Sequence, residues 1–141
     1  MSESLTHFRT TCREAFAFLT SDYGFREIAD SPDSRNPYIV EFGNNEIALR
    51  VLGEGYGTVA RVEYIVPDGR SVSSAILEPD WEPKPRRKKR HGTTLSQDDQ
   101  IHAAAERVRV RDQEILRGDY SRLVDAASRQ ERVLSRYTKD I

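Results

Sequence analysis

The first twenty residues alternate between apolar and polar positions with a helical period. Apolar side chains recur at spacings of three and four, which places them on one side of a helix: Leu5, Phe8, Cys12, Ala15, Phe16 and Leu19. Gly24 can adopt the left-handed conformation that ends a helix. The pattern therefore predicts an N-terminal helix with one buried face. On that face Cys12 is expected to be a small core residue and not a nucleophile.

A two-residue period replaces the helical one further along the chain. It predicts strands over residues 38–42, 46–52 and 58–66, with weaker patterns over 25–28 and 71–77. Turn-forming segments separate the three main strands, at residues 43–45, 53–55 and 67–69. Because such short turns join antiparallel neighbours, we expect a meander of four or five strands. One face of these strands is apolar and the other is mixed, so we expect the N-terminal helix to cover the apolar face only.

Helical periodicity returns after residue 95. Ser96 is a suitable N-cap, and Asp98 and Asp99 follow in the first turn, where acidic residues are favourable. Gly118 interrupts the pattern, so the sequence predicts one or two C-terminal helices. They can pack on the sheet, on each other, or on a second chain to form a homodimer. The complete pattern predicts a single α+β domain, divided into a helix and sheet core (1–80), a Pro-rich basic connector (81–95) and a helical segment (96–141).

Composition excludes several classes of protein. The chain of 141 residues contains no apolar run close to the roughly 20 residues of a membrane span. The first residues also lack the pattern of a secretory signal, and a single cysteine excludes an internal disulfide or a cysteine-based zinc site. We therefore expect a cytoplasmic protein without membrane contact, cofactor or metal. Asp98, His102 and Glu106 share a helical face, but no second group of ligands accompanies them.

Charge is distributed unevenly along the chain. Residues 1–80 hold 7 basic and 13 acidic side chains. An acidic surface favours binding to a basic protein partner. The candidate contact residues lie on the exposed sheet face and its hairpins: Glu41, Glu46, Glu54, Tyr56 and Glu63. Arg61 and Glu63 occupy one face of a predicted strand, and we expect an ion pair between them in preference to a pair that faces a ligand.

A dense basic cluster follows the predicted sheet. Residues 81–95 hold 6 basic side chains and 1 acidic one. Five of the basic residues are consecutive: Arg86, Arg87, Lys88, Lys89 and Arg90. This cluster could contact nucleic-acid phosphates or an acidic protein surface, or it could be a solvated linker. It supports the alternative hypothesis of a nucleic-acid-associated protein.

Several segments carry a resemblance to a known group of proteins. They are Phe18-Leu19, Tyr23-Gly24-Phe25, residues 38–44, residues 47–51 and residues 115–121. Together they resemble small uncharacterised bacterial proteins, some of which look like the immunity proteins of polymorphic toxins. The resemblance implies a single-domain α+β protein that binds another protein, such as a basic toxin, and lacks catalysis. A third hypothesis is an enzyme or small-molecule-binding domain with a cavity between helix and sheet.

Overall fold

The computed structural model describes residues 3–28, 37–54, 57–77 and 95–138, with side chains as far as residue 133. The N-terminal helices are α1 (Glu3–Ala15) and α2 (Ala17–Tyr23). The strands are β1 (Arg26–Ile28), β2 (Ile39–Gly43), β3 (Ala48–Glu54), β4 (Val59–Ile65) and β5 (Ser71–Ser73). A short 3-10 helix (Ser74–Leu77) follows β5. The later helices are α3 (Gln97–Arg111), α4 (Gln113–Leu116) and α5 (Ser121–Thr138).

The five strands form one antiparallel sheet in the order β1-β2-β3-β4-β5. Each strand therefore pairs with its neighbour in sequence, as expected for a meander. The register places apolar residues of successive strands opposite one another: Val40 opposite Val51, and Leu49 opposite Tyr64. With helices before and after the sheet, the chain has the predicted α+β fold.

The helices pack on one face of the sheet, here called the covered face. Phe16, between α1 and α2, stacks on Phe42 of β2 with ring centroids 6.1 Å apart. Cys12 is fully buried in the same core, and burial raises the pKa of its thiol to about 12. The burial confirms that Cys12 is a core residue, and the raised pKa keeps its thiol protonated. Buried residues of α3 and α5, such as Val108 and Leu123, belong to the same core. The C-terminal helices thus dock on the sheet, while the homodimer stays a prediction.

Three local features differ from the predicted elements. The N-terminal helix is divided at Phe16. There the Leu19 amide donates a hydrogen bond to the carbonyl three residues earlier, that of Phe16 (3.0 Å), and α2 begins. The strand predicted over residues 71–77 ends at Ser73. There the side-chain hydroxyl accepts a bond from the Ala75 amide at 3.4 Å, which starts the 3-10 turn. A further break, at Asp112, separates α3 from α4.

Two glutamine side chains bond to backbone groups at the edges of the sheet. Gln100 of α3 accepts from the Ala60 amide (3.0 Å) and donates to the Thr58 carbonyl (2.7 Å). Gln130 of α5 accepts from the Ser73 amide (3.2 Å) and donates to the Ser71 carbonyl (2.8 Å). Each side-chain amide thus occupies the place of a peptide group of a neighbouring strand. Within the described ranges, none of the helices has the length and apolar character needed to cross a membrane.

Candidate protein-binding face

The sheet face turned away from α1, α3 and α5 is here called the distal face. Alternation along β2 directs Val40 and Phe42 toward the helices and Glu41 away from them. The strand register extends this arrangement to Arg50 on β3 and Glu63 on β4. The distal face therefore contains the glutamates that the sequence indicated, together with arginines from the same strands.

A three-residue ionic network crosses the centre of the distal face. Glu41, Arg50 and Glu63 lie directly opposite one another on β2, β3 and β4. Arg50 donates through Nε to Glu41 Oε1 at 2.9 Å and through Nη1 to Glu63 Oε1 at 3.1 Å. The two carboxylate side chains are only 10% and 13% exposed, so Glu41 and Glu63 are largely buried and not the exposed side chains that the alternation predicts. Since two carboxylates share one guanidinium, the network retains one excess negative charge.

Glu54 and Arg61 form a separate ion pair on the same face. Arg61 Nε donates to Glu54 Oε1 at 2.7 Å, and both side chains are well exposed. The expected pair between Arg61 and Glu63 is therefore wrong, because each residue has a partner on β3 instead. Glu63 lies directly opposite Arg50, where Cβ atoms are about 5 Å apart, closer than the roughly 6.5 Å between side chains two apart on one strand. Arg61 lies opposite Leu52 and reaches Glu54 diagonally across the strands.

Glu46 differs from the other candidate glutamates. It lies in the hairpin between β2 and β3, where its amide donates to Asn44 Oδ1 at 3.0 Å and Asn45 has a positive φ of 82°. Its side chain is exposed, and none of the described residues bonds to its carboxylate. The Glu46 carboxylate is therefore exposed to solvent. Tyr56 and the basic cluster Arg86, Arg87, Lys88, Lys89 and Arg90 lie outside the described residues.

Apolar side chains surround these charges. Ile28 of β1 is 39% exposed and Val59 of β4 is 42% exposed. A shallow pocket of about 470 Å³ adjoins Ile28 at the hairpin end, and its rim includes Arg26 and Glu46. Ile39 and Leu52 are buried although neither belongs to the core beneath the helices. The distal face is thus less polar than the alternation predicts.

The strand pattern placed Arg61 on this face, but two further arginines, Arg26 and Arg50, were overlooked. Across the strands of the distal face, three arginines accompany three glutamates: Arg26, Arg50 and Arg61 with Glu41, Glu54 and Glu63. The charges on the described strands of the distal face therefore balance. Glu46, in the hairpin beside these strands, adds one negative charge. The signal was present in the sequence, since Arg50 alternates with Leu49 and Val51 and so must share the face of Glu41.

The possible metal-binding face of α3 does not assemble. Asp98 Oδ2 lies 2.6 Å from His7 Nε2 of α1, and Glu106 pairs with Arg109. These contacts direct the two carboxylates to different partners and leave His102 exposed. Over the residues that the structure describes, no group of three His, Cys, Asp or Glu side chains could hold a metal ion.

The distal face combines fixed charges with apolar side chains. It holds carboxylates and a guanidinium in positions fixed by hydrogen bonds, next to exposed apolar side chains. Comparisons of the chain with protein-family models, curated proteins and solved structures found no match. The function is therefore inferred from the chemistry of the chain's own residues.

Proposed function

We propose that the protein acts without catalysis, by binding a basic protein partner on its distal face. The observation that carries this proposal is the network in which Glu41 and Glu63 share Arg50. A lysine or arginine of a partner would supply the second cation that these carboxylates lack. Because Arg50 already holds both carboxylates in place, binding would cost little side-chain entropy.

The apolar surroundings of the network suit the centre of a protein interface. Interfaces commonly combine well-packed apolar contacts with a few charged groups that set specificity. Ile28 and Val59 would supply apolar contacts on two sides of the network. Glu46, at the rim of the adjoining pocket, would attract a further basic side chain. Long-range attraction from these groups would weaken as salt screens it.

At the edge formed by β4 and β5, the backbone bonds favour contact through the face over addition of a strand. A partner that added a strand beyond β4 or β5 would need the backbone groups of Thr58, Ala60, Ser71 and Ser73. Gln100 and Gln130 already occupy those groups. A partner on the distal face would leave both glutamines in place. The resemblance to immunity proteins narrows the proposed partner to a toxin domain with a basic surface.

A matched set of valine variants tests this proposal. Val59→Arg places a cation on the distal face, whereas Val110→Arg places the same cation on α3, where Val110 is 61% exposed. Both sites are exposed, so both variants should fold, as circular dichroism would verify. The tagged protein would first isolate a partner from cells of its source, and calorimetry would then measure Kd for each variant with that purified partner.

The expected result is selective loss of affinity. Val59→Arg should weaken binding about tenfold or more, since one close like-charge contact costs on the order of 1.4 kcal/mol or more. Val110→Arg should bind like the wild type, and raising salt should weaken the wild-type complex. Equal affinities for Val59→Arg and the wild type, or a partner that is acidic, would overturn the proposal.

A further inference from the structure

A small pocket lies where α3 passes the sheet beside the 3-10 turn. It has a volume of about 290 Å³, and three parts of the chain line it: Ala60, Arg61 and Val62 of β4; Ser73, Ser74 and Ala75; and Ala104, Arg107 and Arg111 of α3. The pocket forms because β5 pairs only with residues 63–65 of β4. The earlier part of β4 extends past the end of β5 and leaves room between sheet and helix.

Among the described residues that line the pocket, every charged one is an arginine. Ala104, Arg107 and Arg111 follow one another at spacings of three and four, so they share one side of α3. Arg61 lies only at the rim, since its side chain is on the distal face and bonds to Glu54, while Ser73 and Ser74 add hydroxyl groups opposite α3. No carboxylate is among the described residues that line the pocket. A site lined by guanidinium and hydroxyl donors from two directions is suited to an oxyanion.

Two of the arginines are held in place and the third is not. Arg111 donates to both carboxylate oxygens of Asp112, at 2.6 and 2.9 Å, and to Ser74 Oγ at 2.7 Å. Arg61 is held by Glu54. Among the described residues nothing bonds to the exposed guanidinium of Arg107. Because a hydroxyl that accepts one hydrogen bond can still donate another, Ser74 keeps a donor that Arg111 holds in position. Arg107 supplies the charge that an anion would neutralise.

We propose that this pocket binds the phosphoryl group of a small metabolite. Its volume lies near the lower limit of about 300–1,000 Å³ for small-molecule sites, so it suits a compact ligand. A tetrahedral phosphate can accept hydrogen bonds from several directions at once, whereas a planar carboxylate is satisfied by one guanidinium. The site lies on the helix side of the sheet and shares only Arg61, at its rim, with the distal-face residues discussed above, so it adds a ligand to the proposed protein-binding function.

Nuclear magnetic resonance titration tests the assignment residue by residue. Inorganic phosphate and 3-phosphoglycerate would be added to the full chain, with sodium chloride and acetate at matched ionic strength as comparisons. The backbone amide signals of Ser74, Ala75 and Ala104 should shift with saturation for both phosphates. Arg107→Gln should raise Kd about tenfold or more, the loss expected for a charged hydrogen bond. Arg109→Gln, the same change on the other side of α3, should leave Kd unchanged.

Several results would overturn the assignment. Shifts of equal size in Arg107→Gln and Arg109→Gln would show general attraction to positive charge. Equal shifts with chloride or acetate would show no preference for phosphate. A phosphoserine peptide that shifts these signals while both small phosphates leave them unmoved would assign the pocket to a protein ligand instead. Circular dichroism should show the same helix content for both variants, because both arginines are exposed.

Discussion

Each face of the sheet carries an ionic network built around one arginine, and the two networks differ in charge balance. On the covered face Arg111 pairs with Asp112, whose side chain is fully buried, and Tyr64 donates to the same carboxylate at 2.7 Å. On the distal face two glutamates share Arg50. A buried charge is tolerated only when it is paired and hydrogen-bonded. The covered network meets that condition internally, whereas the distal network has one more carboxylate than guanidinium groups.

The two networks also differ in what they connect. Asp112 lies between α3 and α4, and the hydrogen bond that it accepts from Tyr64 ties that junction to the C-terminal end of β4. Burial, followed by the nearby Asp112 charge, raises the pKa of Tyr64 well above its usual value. The Tyr64 hydroxyl therefore remains a proton donor to Asp112 throughout the physiological pH range. The covered network thus secures the helices on the sheet, whereas the hydrogen bonds of the distal network, among the described residues, join β2, β3 and β4.

Removing the buried carboxylate should produce the largest loss of stability. Asp112→Ala leaves Arg111 without its main partner inside the protein, and we expect the free energy of unfolding to fall by about 3–5 kcal/mol. Glu114→Ala, a matched change at an exposed position on α4, should alter it by less than about 0.5 kcal/mol. Urea denaturation measures both values. Similar losses in the two variants would contradict the structural role of the covered network.

A pair of valines on β4 compares the packing of the two faces. Val62 is buried on the covered face, whereas Val59 is 42% exposed on the distal face. Val62→Ala should lower the free energy of unfolding by about 2 kcal/mol, because it removes two buried methyl groups and leaves a cavity. Val59→Ala should cost less than about 0.5 kcal/mol. Thermal unfolding would rank the two variants, and a larger effect at Val59 would show that the distal face is packed.

The distal network should contribute less stability than the covered one. Arg50→Gln removes the cation between Glu41 and Glu63 and should lower the free energy of unfolding by about 1–2 kcal/mol. Much of the loss should come from repulsion between the two carboxylates. Urea denaturation of the double variant Arg50→Gln, Glu63→Gln tests this interpretation. It should recover part of the loss, and a further loss would contradict it.

An exposed ion pair near the rim of the sheet should have the smallest effect. Arg13 of α1 bonds to Glu27 of β1 at 2.7 Å, and this hydrogen bond lowers the pKa of Glu27 below its usual 4.5. A lowered pKa means that the pair stabilises the fold above about pH 4.5 and that this contribution is lost as pH falls further. Glu27→Gln should remove about 0.2–1 kcal/mol at pH 7. The difference from wild type should vanish near pH 2, as urea denaturation across pH would show.

Much of the fold follows from local patterns in the sequence. The alternation of Val40 and Phe42 with Glu41, and the turn residues between strands, determine a meander with one apolar face. The break at Phe16 could not be predicted this way, since the apolar period continues through it. Asp112 was missed for a similar reason: its partners Tyr64 and Arg111 come together only through packing of helix on sheet.

The candidate sites were predictable to different extents. Strand alternation placed Glu41 and Glu63 on the face opposite the helix, but their shared bond to Arg50 depends on the register between three strands. Predicting the arginine-lined pocket would require knowing how segments far apart in the sequence pack together. Arg107 and Arg111 lie beside the apolar stripe of α3, and only the early end of β5 creates the space next to them. Sequence patterns identify which residues share an element, whereas packing decides which elements meet.

The glutamines at the sheet edge bear on what happens if the helices detach. Release of α5 would expose Ser71 and Ser73, and release of α3 would expose Thr58 and Ala60, so strand edges now occupied by side chains could template pairing between molecules. Partial unfolding of the helical layer would then lead toward aggregation through the sheet, even with the meander itself intact. The hydrogen bonds of Gln100 and Gln130 thus block strand pairing between molecules and also hold their helices on the sheet.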